Sequence, residues 1–134
     1  MKKLPTSNKV YIKSSRILNA GRGVYAARNI KKDELIEKCP IIEIPKHDLA
    51  NLKESILTTY FFFFGKNKEE LLVALGFGSI YNHAYTSNAR YIIKPQDATI
   101  DFVALKEIKK GQEITVNYSQ GNQKNKNPLW FEAT

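Results

Sequence analysis

The sequence predicts an irregular, mainly β (α+β) protein of one domain with one or two short helices. Three observations predict it. The chain has 134 residues, 43% of them hydrophobic, enough for one packed core and too few for two. Its apolar runs are short, rich in β-branched and aromatic residues, and divided by turn-forming residues. Only one stretch carries apolar residues at helical spacing.

In chain order, Val10 to Lys13 alternates and reads as a first strand. The following SSRILNAGRG is loop-like, and Val24 to Ala27 starts a second short strand. Residues 29–34 read as a turn, and Leu35 to Ile44 as a strand region interrupted by Pro40. Between His47 and Leu57, Leu49, Leu52, Ile56 and Leu57 fall at helical spacing. Tyr60 to Phe64 is too short and too aromatic for a helix and fits a buried strand. GKNKEE at 65–70 is a turn, and Leu71 to Phe77 is apolar. Arg90 to Lys94, Ile100 to Leu105 and Glu113 to Tyr118 are further strands, with Glu107 to Gly111 a tight connection. In the last strand Ile114, Val116 and Tyr118 are expected on one face.

Composition excludes several classes. A single cysteine, Cys39, rules out an internal disulfide. With only His47 and His83 beside it, a structural zinc site has too few ligands, so no metal is expected. The start, MKKLPTSNK, has no apolar segment of signal-peptide type. TTYFFFF and LLVALGFG are too short to span a bilayer. The expectation is a soluble intracellular protein with no membrane contact. The net charge of +8 admits an anionic partner such as nucleic acid. The lysines are scattered, however, and only 122–127, NQKNKN, is locally basic, which favours a solvated lysine surface.

Residues 21–26 read GRGVYA. This fits G-x-G-x-x-A, a dinucleotide-binding pattern. SSRILNA before it is no clean strand, however, and no amphipathic helix follows to meet a pyrophosphate. Two further islands carry chemistry-bearing residues: GFGSIYNHAYTSNA at 76–89, with Asn82-His83 and Asn88-Ala89, and EITVNYSQG at 113–121, with Tyr118.

Taken together, the two islands resemble the signature motifs of the SET domain, the fold of most protein-lysine methyltransferases. There the first motif reads roughly NHSxxPNA and the second ELTxxY. Ala84 and Ser87 depart from the usual Ser and Pro. GRGVYA is similar to that family's first glycine motif, and IKKDELI at 30–36 to its IxxGExI, with Asp33 where Gly is usual. The resemblance runs from about Lys9 to Gly121. It divides the chain into a domain over 1–121 and a tail over 122–134. Lacking cysteine-rich flanks, the chain is nearest to the minimal viral and prokaryotic members.

The resemblance implies several small sheets and a pseudoknot-like crossing, braced by Asn88, between the Asn-His and Tyr segments. It implies S-adenosylmethionine as cofactor, held by Gly21, Arg22, Gly23, Asn82, His83 and Tyr118, with Tyr118 also the catalytic phenol. Trp130 in the tail is placed to stack over the cofactor. Tyr60, Tyr91 and Val116 are the implied substrate-channel residues. Val116 stands where many relatives carry the aromatic that limits methylation, so it is expected to leave room while Tyr91 sets the product state. The implied partner is a protein with a target lysine, such as a histone or another chromatin protein. Contact with nucleic acid and a homodimer are further expectations. The compartment is the cytoplasm, or a host nucleus for a viral protein or effector. Two rivals stand beside this reading: a basic β-rich module that binds nucleic acid without catalysis, and a SET-like domain that has lost activity.

Overall fold

A computed structural model describes Leu4, residues 6–64 and residues 70–118. Nine strands follow in order: β1 Val10–Ser14, β2 Arg22–Ala26, β3 Leu35–Ile44, β4 Phe62–Phe64, β5 Glu70–Ala74, β6 Asn82–His83, β7 Ala89–Lys94, β8 Thr99–Ala104 and β9 Glu113–Val116. They form a four-stranded sheet of order β1-β2-β9-β6 and a five-stranded sheet of order β4-β5-β3-β8-β7. All pairings are antiparallel except β6 with β9, which run parallel.

The core is a single cluster shared by the two sheets. Val24 from β2 and Ile114 and Val116 from β9 join Ile36 and Cys39 from β3 and Ile100, Phe102 and Ala104 from β8. Ile30 and Ile108, both fully buried, close it through a reciprocal pair of backbone hydrogen bonds of 2.7 and 2.8 Å. Asp33, where the resembling family has Gly, sits at φ 69°. Asp is among the few non-glycine residues that tolerate this left-handed turn.

Three expectations change. Pro40 does not interrupt β3. Residues 35–40 pair with β8 and residues 41–44 with β5, so the residue without an N–H stands where the strand changes partner. The helix expected over 47–57 is instead a 3-10 turn Lys46–Asp48, a four-residue α-helix Leu49–Leu52 and a 3-10 turn Ile56–Thr59. None of these pieces buries a residue, so no core contact consolidates a longer helix. The Ser55 hydroxyl accepts from the Leu57 N–H and starts a new turn. Finally, β9 ends at Val116. Ile114 and Val116 face inward as expected, and Tyr118 lies beyond the strand yet packs on the core.

Candidate active site

The two sequence islands meet along the β6/β9 pair, with Asn82 opposite Thr115 and His83 opposite Val116. The Asn88 amide locks this junction from the side. It donates to the Glu113 carbonyl (2.8 Å) and accepts from the Thr115 N–H (2.9 Å). Asn88 therefore satisfies two main-chain groups of β9 and braces the meeting of the two segments, as expected. The Ala84 N–H donates to the Val116 carbonyl at 3.0 Å, so this departure from the family pattern leaves the backbone pairing intact.

The glycine motif enters from β2, which pairs β9 through Val24 with Ile114 and Tyr25 with Glu113. Gly21 adopts φ 73°, and among the described residues nothing lies within 4 Å of the position a β-carbon would take. It needs glycine for its backbone conformation. Gly23 has a different reason. A β-carbon there would stand 2.4 Å from Glu113 Oε2 and 3.1 Å from Asn82 Nδ2. Asn82 Nδ2 donates to Glu113 Oε2 (2.8 Å) and to the Arg22 carbonyl (2.9 Å), while the Ser15 hydroxyl donates to Glu113 Oε1 (2.8 Å). One carboxylate thus ties the loop before β2, the glycine strand and the Asn-His segment together. At Gly23 the missing side chain makes room for Glu113 and Asn82.

His83 is 6% exposed. Its Nδ1 accepts the Tyr118 N–H at 2.9 Å, and its Nε2 is buried with no hydrogen-bond partner among the described residues. The ring meets Tyr85 edge-on at 4.4 Å and lies 5.1 Å from the Tyr118 ring. Tyr118 in turn donates its phenol proton to the Tyr81 carbonyl at 2.6 Å. Tyr91, in β7, directs its hydroxyl to the Tyr118 carbonyl over a long 3.4 Å. Burial, then the neighbouring Tyr60 and Tyr91 phenols, push the Tyr118 phenol above its ordinary range. Burial raises Tyr91 to about 12. Both phenols are therefore neutral at physiological pH. The fold brings Tyr60 and Tyr91 close to Tyr118, beside the Asn-His segment.

Val116 is fully buried in the core, opposite His83. Trp130 lies outside the described residues, as does the rest of 119–134. Sequence reasoning missed Glu113, Ser15 and Tyr81. Glu113 stood inside a recognised motif, and strand alternation separates it from Ile114 and Val116. Its carboxylate becomes legible only once β2 is known to be the neighbour of β9.

The His83 contact makes a pH prediction. Burial lowers its pKa from the ordinary 6.5. The unfolded chain therefore takes up the proton more readily, and stability present above about pH 6.5 is lost as pH falls toward the lowered native value. Protonation also removes the Nδ1 acceptor from the Tyr118 N–H. In His83→Asn an amide oxygen replaces that acceptor without titrating. Between about pH 7 and about pH 5, the wild-type melting temperature is expected to fall more steeply than that of His83→Asn. Equal slopes would show that His83 does not titrate in this way.

Residues 21–119 match the SET domain family. A histone-lysine N-methyltransferase specific for H3 lysine-37 from Schizosaccharomyces pombe is 29% identical over 113 residues, covering 84% of this chain and 71% of that protein. A crystal structure of a candidate histone methyltransferase from Plasmodium falciparum is 30% identical, with a TM-score of 0.66, over 90% of this chain and 100% of that one. The fold alone is shared, at 22% identity and a TM-score of 0.67, with a polycomb repressive complex 2 structure bound to S-adenosylmethionine. That match covers 89% of this chain and 16% of the other. These likenesses favour an enzyme over a non-catalytic basic module: the chain belongs to the SET-domain family and is a protein-lysine methyltransferase.

Proposed function

We propose that the chain transfers a methyl group from S-adenosylmethionine to a lysine of a histone or another basic chromatin protein, at Tyr118. The observation that carries this reading is the convergence of Tyr118, Tyr91 and Tyr60 beside Asn82-His83, with the glycine motif held against the same junction. The histone substrate is supported by the activity of the fission yeast relative. A histone substrate would place the activity in a nucleus.

The residues present fit the cofactor. Among the described residues nothing crowds Gly21, and the buried Nε2 of His83 has no partner. The main chain of Gly21, Arg22 and Gly23, with that of Asn82 and His83, would hold it. The Asn82 side chain spans Arg22 and Glu113 and sets the distance between the two halves of the cradle. When bound, S-adenosylmethionine supplies an electrophilic methyl on a positively charged sulfur.

The protein's own residues deal with the other reactant. A lysine amine has a pKa of about 10.4, so making it neutral at about pH 7.4 costs roughly 4 kcal/mol in water. Burial beside phenol rings disfavours the ammonium form and lowers that cost. The Tyr118 phenol is protonated and its proton is committed to the Tyr81 carbonyl. Its oxygen therefore meets the reacting groups as an acceptor, orienting the amine and stabilising partial positive charge at the methyl. A raised pKa makes Tyr118 a poor general base, which suits a role in positioning.

Tyr91 is the group proposed to limit how many methyl groups are added, because Val116 has no exposed surface and Tyr91 approaches Tyr118. Tyr91→Phe is expected to shift the proportions of mono-, di- and trimethyl-lysine, read by mass spectrometry. An unchanged ratio would remove Tyr91 from that role. The substrate class is tested by incubating the full chain with methyl-labelled S-adenosylmethionine and histone octamers, with Tyr118→Phe as control. Label in a histone band that is absent with Tyr118→Phe supports the proposal. In a parallel incubation with a cell lysate, label confined to non-histone proteins would overturn the histone substrate and keep the enzyme.

A further inference from the structure

The first island begins six residues before Asn82, and nothing in the cofactor cradle explains that part of it. In the fold, residues 76–81 close around a buried carboxylate, Glu37 of β3. Glu37 is 9% exposed. Its Oε1 accepts the Tyr81 phenol at 2.7 Å, and its Oε2 accepts the Phe77 N–H at 3.0 Å. Gly76 turns at φ 60° just over it, where a β-carbon would stand 2.6 Å from Oε2. At Gly78 a β-carbon would be 2.6 Å from that of Ala74 and 3.0 Å from the Cys39 sulfur. Among the described residues the carboxylate is held by the Tyr81 phenol, the Phe77 N–H and the Cys39 thiol, without an ion pair. Such an arrangement fixes the phenol and the N–H strongly, because either one left unpaired in the interior is costly.

Tyr81 has two ends. Its phenol is held by Glu37, and its ring is fully buried and stacked on Phe102 at 4.3 Å and 16°. Its carbonyl takes the Tyr118 phenol proton at 2.6 Å. With the ring fixed at its far end, the peptide plane carrying that carbonyl is fixed too, and with it the direction in which the Tyr118 hydroxyl points. We infer that Glu37 is a positioning residue for methyl transfer, acting through Tyr81 to hold the carbonyl that orients the Tyr118 phenol. This rests on the reading of Tyr118 as the catalytic residue.

Tyr81→Phe removes only the hydroxyl that Glu37 holds and keeps the stacked ring and the carbonyl. In the full chain it is expected to lower kcat by about tenfold, the scale of one charge-assisted hydrogen bond, with KM for S-adenosylmethionine within about twofold. Glu37→Gln should lower kcat similarly, and the double variant no further than the worse single one. The decisive comparison uses a Tyr118→Phe background, where adding Tyr81→Phe should cost nothing more. A role in stability alone would lower the melting temperature and leave kcat at the wild-type value, overturning the inference. So would a loss of kcat that multiplies with that of Tyr118→Phe. Wild-type turnover in Tyr118→Phe itself would instead remove the catalytic reading of Tyr118.

Discussion

Replacing Tyr118 by phenylalanine lowers methyl transfer by about 100-fold or more, the scale seen when one preorganised transition-state group is removed. The ring and its packing are kept, and so is the Tyr118 N–H bond to His83 Nδ1. Only the phenol oxygen goes. The Tyr81 carbonyl loses its donor, at a stability cost of about 1 kcal/mol, too little to unfold a domain stable by about 5–15 kcal/mol. Affinity for S-adenosylmethionine should stay near wild type, because the proposed cradle lies at Gly21, Arg22, Gly23, Asn82 and His83. The loss should therefore appear in kcat and not in cofactor KM. Single-turnover rates with excess enzyme would measure it, and a loss of less than about fivefold would contradict the assigned role.

The largest effect on stability is expected at Phe102. It is fully buried in the middle of β8, stacks on Tyr81 and meets Phe62 and Tyr91 at ring separations of 6.4 Å each. Phe102→Ala removes the common floor of these rings, and the site cannot collapse because β3 and β7 flank it on both sides. A loss of about 3–5 kcal/mol follows for a large-to-small change of this kind, measurable by denaturant unfolding. The surviving folded fraction should also turn over slowly, since Tyr81 and Tyr91 both lean on this ring and both touch Tyr118. A destabilisation below about 1 kcal/mol would mean that neighbouring rings fill the gap.

How much of this was legible beforehand depended on whether a residue acts locally. Strand alternation placed Ile114 and Val116 inward correctly, since a period of two needs no knowledge of partners. The turn over residues 29–34 was legible from its residue types, and Asp33 tolerates the left-handed conformation it adopts there. The motifs brought Tyr118, Asn82-His83 and GRG forward, and the fold gathers them. What stayed hidden were relations across long sequence separations. Glu37 and Tyr81 are 44 residues apart, and Ser15 and Glu113 are 98 apart. No local pattern marks such a pair. The helix over 47–57 failed for a related reason: apolar spacing suggests a helix, but only burial against the core would have consolidated it, and none of its pieces buries a residue.

The most direct measurement is a calorimetric titration of the full chain with S-adenosylmethionine, run in parallel on Asn82→Ala. Saturable binding at one site per chain, weakened at least about tenfold by Asn82→Ala through loss of its bonds to Glu113 and Arg22, is the predicted result. No heat of binding with the wild-type chain at a ligand concentration on the order of 1 mM would contradict a cofactor cradle at this junction.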